Sequence, residues 1–134
     1  MTREILGEPI VPGTASGSLV KLDAPLSFWG GFDPSTGLII DKAHPQVGVS
    51  LAGRVVAMPG SRGSSGTPGV LGESIRLGTG PIAMILTKPD INLAAGSLAA
   101  TALYEATCPI VLVEQVLFDA LEDGATVVTR SRSQ

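Results

Sequence analysis

Cysteine, histidine, aromatic residues and positive charge are all scarce in this chain, and each scarcity closes a class of function. One cysteine, Cys108, cannot form an internal disulfide. Nor can it alone make a cysteine zinc site or hold an iron–sulfur cluster. One histidine, His44, leaves an autonomous metal site short of ligands. Nine Lys and Arg against twelve Asp and Glu give a net charge of -3, with no basic run to meet a phosphate backbone. Nucleic acid is therefore not expected as a partner. The longest uncharged stretch, Ile91 to Tyr104, is shorter than the ~18 apolar residues of a spanning helix, so no membrane segment is expected. The start, Met1-Thr2-Arg3-Glu4, has no apolar signal region. A cytoplasmic chain is the expectation. A mean hydropathy of +0.37 then points to apolar surface buried against a partner.

The chain is nonetheless 44% hydrophobic with only 4% aromatic residues, so its core must come mainly from Ala, Val, Leu and Ile. Its 134 residues fit one domain, 1–134, with residues 130–134 expected to fray. Glu4–Gly7 and Gly17–Leu22 are strand candidates. Asp33-Pro34-Ser35-Thr36-Gly37 is a turn, followed by a short buried strand at Leu38-Ile39-Ile40, and Val55–Met58 is a further apolar run. Alternation follows. A helix is predicted over Val70–Leu77, a strand over Ile82–Leu86, and a helix from Ile91 with Asp90 as N-cap. Its apolar face is predicted at Ile91, Ala94, Ala95, Leu98 and Ala102. Pro109–Val113, Gln115–Leu121 and Ala125–Thr129 complete a strand, a short helix and a strand. A strand-rich first half followed by β-α alternation predicts an α/β fold with a partly parallel sheet.

The segment Met58-Pro59-Gly60-Ser61-Arg62-Gly63-Ser64-Ser65-Gly66-Thr67-Pro68-Gly69 lies between a predicted strand and a predicted helix. Ligands of open α/β sheets gather at such junctions. Glycines admit a ligand to the backbone, the helix N-terminus carries partial positive charge, and Arg62 can grip a carboxylate or phosphate. Ser64 and Ser65 add hydroxyls. The pattern is not a P-loop, because no lysine follows the glycines. It is not a nucleophile elbow either, because Gly63-Ser64-Ser65-Gly66 has the wrong spacing. Pattern alone leaves an anion cradle and a plain Gly/Ser surface loop equally open.

Three stretches resemble the aconitase-X swivel domain. They are Pro25 through Ser27-Phe28-Trp29-Gly30-Gly31-Phe32-Asp33-Pro34-Ser35-Thr36-Gly37 to His44-Pro45, Met58 through Arg62-Gly63-Ser64-Ser65 to Glu73, and Pro89-Asp90-Ile91 onward. The resemblance implies a swivelling β/β/α fold acting as a small subunit against a large catalytic subunit. It implies a hydro-lyase that removes water from a small hydroxy acid, cis-3-hydroxy-L-proline or phosphomevalonate; few Lys and many Ala and Gly suggest a bacterial source and favour the former. By the same resemblance Ser64 is the base with Ser65 second, and the cradle chemistry of the loop makes Arg62, Gly63 and Gly66 the substrate-binding candidates. The chain itself would bind no cofactor; an iron–sulfur cluster or metal would belong to the large subunit. The family's loop often reads Gly-Arg-Gly-Ser-Ser-Thr-Gly-Ser, so Ser61 and the stretch after Ser65 depart from it.

Energetics add a condition to this reading. Making a serine acidic enough to take a carbon-bound proton, about five pKa units, is worth roughly 7 kcal/mol. A helix N-terminus supplies at most ~2 kcal/mol. The loop should therefore work only when another surface excludes water from it. Trp29 fits either a docking surface or the core, Cys108 and Tyr104 read as packed residues, and Arg54 and Lys88 as solvated charges. Two other classes compete: a phosphohistidine swivelling domain, which would need His44, and a non-catalytic scaffold module.

Overall fold

The computed structural model describes residues 2–131. Two long strands open the chain, β1 (Thr2–Val11) and β2 (Thr14–Lys21). A strap of turns follows, holding a four-residue turn α1 (Phe28–Gly31) and a small hairpin, β3 (Phe32–Asp33) and β4 (Leu38–Ile39). The hairpin turn is held by Asp33, whose Oδ1 accepts from Ser35 N at 2.9 Å and Ser35 Oγ at 2.7 Å. Strand and helix then alternate: β5 (Val55–Ala57), α2 (Thr67–Leu77), β6 (Ala83–Leu86) and α3 (Ile91–Tyr104). The chain ends with β7 (Ile110–Leu112), α4 (Gln115–Asp119) and β8 (Thr126–Ser131). This is the α/β order that the sequence predicts.

Six strands close into a barrel in the order β1-β7-β6-β5-β2-β8. Strands β2, β5, β6 and β7 are parallel neighbours. The closure is made by β8, parallel to β1 and antiparallel to β2. Alternate residues of the short central strands serve two cores, as the period of two in a strand requires. Val55, Ala57, Ala83, Ile85 and Val111 join Ile5, Leu19 and Val127 inside the barrel, and Phe118 and Leu121 of the α4 region join the same cluster. Val56, Met84, Leu86 and Ile110 face outward and are covered by Leu71 and Ile75 of α2, Leu93 and Ala100 of α3, and Leu26, Phe28 and Phe32 of the strap. A strand buried on both faces reads as a continuous apolar run, which is why Val55–Met58 and Ile82–Leu86 stand out in the sequence.

Several expectations are corrected. Arg130 and Ser131 are not frayed but pair with β1 and β2; residues 132–134 and Met1 lie outside the described residues. Of Leu38-Ile39-Ile40 only Ile39 is buried. Helix α2 begins at Thr67, three residues before the predicted start. Helix α3 buries Leu93, Gly96, Ser97 and Ala100, not the predicted face, and leaves Ile91 and Leu98 exposed. The reason lies in the contact with α2: a Cβ on Gly96 would meet Pro68 O at 3.0 Å, so only small residues can face that helix. Tyr104 is half exposed beneath the Arg76 guanidinium. Arg54 is not simply solvated, since it donates to Ser18 Oγ and Leu19 O and so ties β2 to the start of β5.

Candidate functional site

The Ser/Gly loop leaves the C-terminal end of β5, and its base is lashed to the end of β6. Met58 is fully buried and its N–H donates to Ile85 O. Pro59 O accepts from Thr87 N and Lys88 N. From there the chain runs outward until Arg62 N donates to Leu26 O at 3.1 Å, which fastens the loop to the strap.

Between these anchors sits Asp90. Its Oδ1 accepts from Asn92 N at 3.1 Å and Leu93 N at 3.0 Å, the N-cap predicted for α3. Its Oδ2 accepts from Ser61 N at 2.8 Å and Ser61 Oγ at 2.7 Å. Ser61 Oγ accepts in turn from Gly63 N at 3.2 Å. Partial burial pushes the Asp90 carboxyl up, but the hydrogen bonds from Ser61, Leu93 and Asn92 together outweigh it and hold the carboxyl below its ordinary value. The Ser61 hydroxyl contact cannot form where glycine stands at this position.

The loop then turns over Gly63, whose φ of +77° lies in the left-handed region that glycine occupies without strain. Ser64 is half-buried and Ser65 exposed. Ser64 Oγ accepts from Gly66 N at 3.1 Å, and Ser64 O accepts from Thr67 N at 3.1 Å. An N–H aimed at a hydroxyl oxygen favours its deprotonated form. Gly66 begins α2 with no side-chain cap, and the neighbouring Thr67 hydroxyl is buried without a partner among the described residues. The indole of Trp29 lies against Gly66, where an added Cβ would come within 2.5 Å of the ring. Trp29 is nevertheless 64% exposed, so it is not the core aromatic that the sequence left open.

The five predicted site residues, Arg62 to Gly66, form the outer part of this loop. The N–H groups of Gly63 and Gly66 are both engaged within the loop, leaving neither free for a ligand. Arg62 is exposed and, with Asp41 and His44, borders a cleft of about 200 Å³ beside the loop. His44 is buried and spent: Nδ1 accepts from Gln46 N at 3.0 Å, so Nε2 carries the proton and donates to Ala24 O at 3.0 Å. With both nitrogens engaged, His44 is a poor phosphate carrier, which removes the support for a phosphohistidine domain. A larger cavity of about 550 Å³, bordered by Leu6, Thr87, Lys88 and Val116, opens beside the ends of β6 and β7 but includes none of the loop residues. Sequence reasoning found Asp90 as a helix cap and missed its grip on Ser61. The signal available was its place at the end of the strand neighbouring β5.

Among the described residues no three His, Cys, Asp or Glu gather as a ligand set. Cys108 is fully buried, and burial pushes its thiol up to about 12. These residues do not fit an iron–sulfur cluster or a metal ion.

The aconitase X swivel domain model matches residues 4–134. The chain is 43% identical over 106 residues to a cis-3-hydroxy-L-proline dehydratase of Pseudomonas aeruginosa, covering 79% of this chain but 18% of that protein. The chain thus spans less than a fifth of the length of that relative. It is 37% identical over 97 residues to the phosphomevalonate dehydratase small subunit of Pyrococcus furiosus, covering 72% of each. The crystal structure of Thermococcus kodakaraensis aconitase X in its holo-form matches with a TM-score of 0.79 at 30% identity, over 91% of this chain and 87% of that one.

Proposed function

The chain belongs to the aconitase X swivel-domain family, and from that premise we propose that it serves a hydro-lyase as its small subunit, lending a serine base to a site completed by a large subunit. One observation carries the reading: Ser64 Oγ, at the uncapped start of α2, receives the Gly66 N–H and so has its negative form favoured. In this reading Ser64 takes a carbon-bound proton from a hydroxy acid. The freed electron pair forms the double bond as the C–O bond breaks; the departing hydroxide takes a proton from an acid of the large subunit and leaves as water, and Ser64 passes its own proton to solvent before the next turnover. Ser65, exposed beside it, is the second hydroxyl, and Arg62 holds the substrate carboxylate. Gly63 and Gly66 contribute space and turn geometry in place of donors.

The loop is open to solvent, where such a base would be far too weak. Trp29 against Gly66 and Ile91 beside Asp90, 64% and 82% exposed, flank it as apolar surface for an enclosing subunit. The ligands of any iron–sulfur cluster or metal then belong to that subunit, and the complex works in the cytoplasm. No helix among the described residues is long and apolar enough to cross a membrane. The favoured substrate is cis-3-hydroxy-L-proline, on the 43% identity to a dehydratase of that name. Phosphomevalonate is the second reading, on the match to 72% of a small subunit of that enzyme.

The test is to co-produce the chain with a large aconitase X subunit and assay both substrates, with and without Ser64→Ala. The expected result is turnover of the hydroxyproline that S64A abolishes while the complex stays assembled. Turnover of phosphomevalonate alone reverses the substrate choice. Full turnover by the isolated chain refutes the shared site, and loss of assembly alone in S64A supports a scaffold.

A further inference from the structure

We propose that Asp90 is a positioning residue for the serine loop, a single carboxylate that fixes the start of α3 with one oxygen and the approach to Ser64 with the other. This rests on the reading of the loop as base-bearing.

The division of labour is geometric. Oδ1 takes the two amides of the helix, Asn92 N and Leu93 N. Oδ2 takes both donors of Ser61, at 2.8 and 2.7 Å. The Ser61 hydroxyl, its proton committed to the carboxylate, presents a lone pair to Gly63 N. The chain of contacts thus runs from Asp90 through Ser61 to the residue before Ser64. Helix α3 is anchored against α2 at Gly96 and against the barrel through Leu93 and Ala100, so the carboxylate is held by rigid structure. A capping aspartate needs only one oxygen. The second oxygen is spent on a loop residue 29 positions away in sequence. Arg62 and Gly63, between Ser61 and Ser64, take their direction from that contact and from Arg62 N on Leu26 O.

The charge state matters less than the pattern of acceptors, and Asp90→Asn exploits this. Asparagine caps helices as well as aspartate. Its amide oxygen can keep the two α3 amides, which leaves its NH2 facing the Ser61 N–H, donor against donor. The variant therefore breaks the contact to the Ser61 N–H and spares the helix arm. Ser61→Ala removes only the hydroxyl contacts and should give a smaller effect of the same kind.

Two measurements test this. In the full chain, amide hydrogen exchange followed by NMR should show Ser61 exchanging about tenfold faster in D90N, the factor that one net hydrogen bond confers, with α3 amides protected as in the wild type. In the reconstituted complex, kcat should fall by about tenfold to a hundredfold with KM changed less than about threefold. Wild-type Ser61 exchange in D90N overturns the clamp, even where S64A is inactive. Wild-type kcat in D90N with faster exchange overturns the positioning role. Equal loss of protection throughout α2 and α3 also overturns it, since Asp90 would then be structural only. Full turnover in S64A overturns the serine reading itself and is seen independently of the exchange result.

Discussion

Helices α2 and α3 pack against each other, close enough at Gly96 and Pro68 to leave no room for a side chain, yet they begin in opposite ways. Helix α3 starts on an extended residue, Asp90, whose carboxylate satisfies two of its amides. Helix α2 starts on Gly66, which carries no side chain, and next to it the Thr67 hydroxyl is buried and has no partner among the described residues. The first four N–H groups of a helix need partners from elsewhere. Here one start draws two amides to a capping carboxylate, and at the other the Gly66 and Thr67 amides turn to the hydroxyl and carbonyl of Ser64. The difference separates two tasks. The closed start of α3 is scaffold, and the open start of α2 is the place where charge can develop.

The comparison can be broken in four places. Ser64→Ala acts at the open start and should lower kcat of the reconstituted complex by about 10²–10⁴-fold, the range of a positioned acid or base, while the lost Gly66 contact costs no more than about 1 kcal/mol of stability. Asp90→Ala acts at the closed start and should cost about 1–2 kcal/mol of stability, read as a lower urea midpoint at constant slope. Thr67→Val replaces the unpaired hydroxyl by a methyl of similar shape and should leave stability unchanged or raise it by up to about 1 kcal/mol. A loss would mean that the hydroxyl has a partner in solution. The smallest effect concerns pH. The Asp90 carboxyl lies below its ordinary value of 3.8 in the folded chain. Its contribution is therefore fully present above that value and fades as pH falls through the lowered folded value. Denaturant midpoints of wild type and D90N should converge toward acid pH, and a constant gap across that range would place the stabilisation elsewhere.

The sequence made some of this legible. Asp90 as a cap could be read because capping is local: Pro89-Asp90 precedes an uninterrupted helical stretch. The loop residues could be found because glycine and serine clusters mark turns. The buried face of α3 could not be read, because Ile91 to Tyr104 is apolar nearly all round and its spacing selects no side. What selected the side was how closely α2 approaches, which favours Gly96 over Leu98, together with the Ser97 hydroxyl, which is buried as it donates to Cys108 O. The Ser61–Asp90 contact was hidden because it joins the ends of two adjacent parallel strands, β5 and β6. Arg130 and Ser131 looked like a tail because their partners, Leu6, Gly7 and Thr14, lie at the other end of the chain.

Barrel closure has a consequence for how this domain can meet other chains. Each of the six strands has a neighbour on both sides. An open sheet offers its unpaired rim to any extended peptide, and copies of such a protein can zip together into aggregates. Here closure divides that rim into short pieces: Thr2–Gly7 of β1 pair with β8 and Glu8, Pro9 and Val11 with β7, while Thr14–Ser18 of β2 pair with β8 and Leu19–Lys21 with β5. Each stretch that lacks a second neighbour is only a few residues long. Short edges of this kind are poor templates for a further strand, which favours partners that read side chains and loop tips.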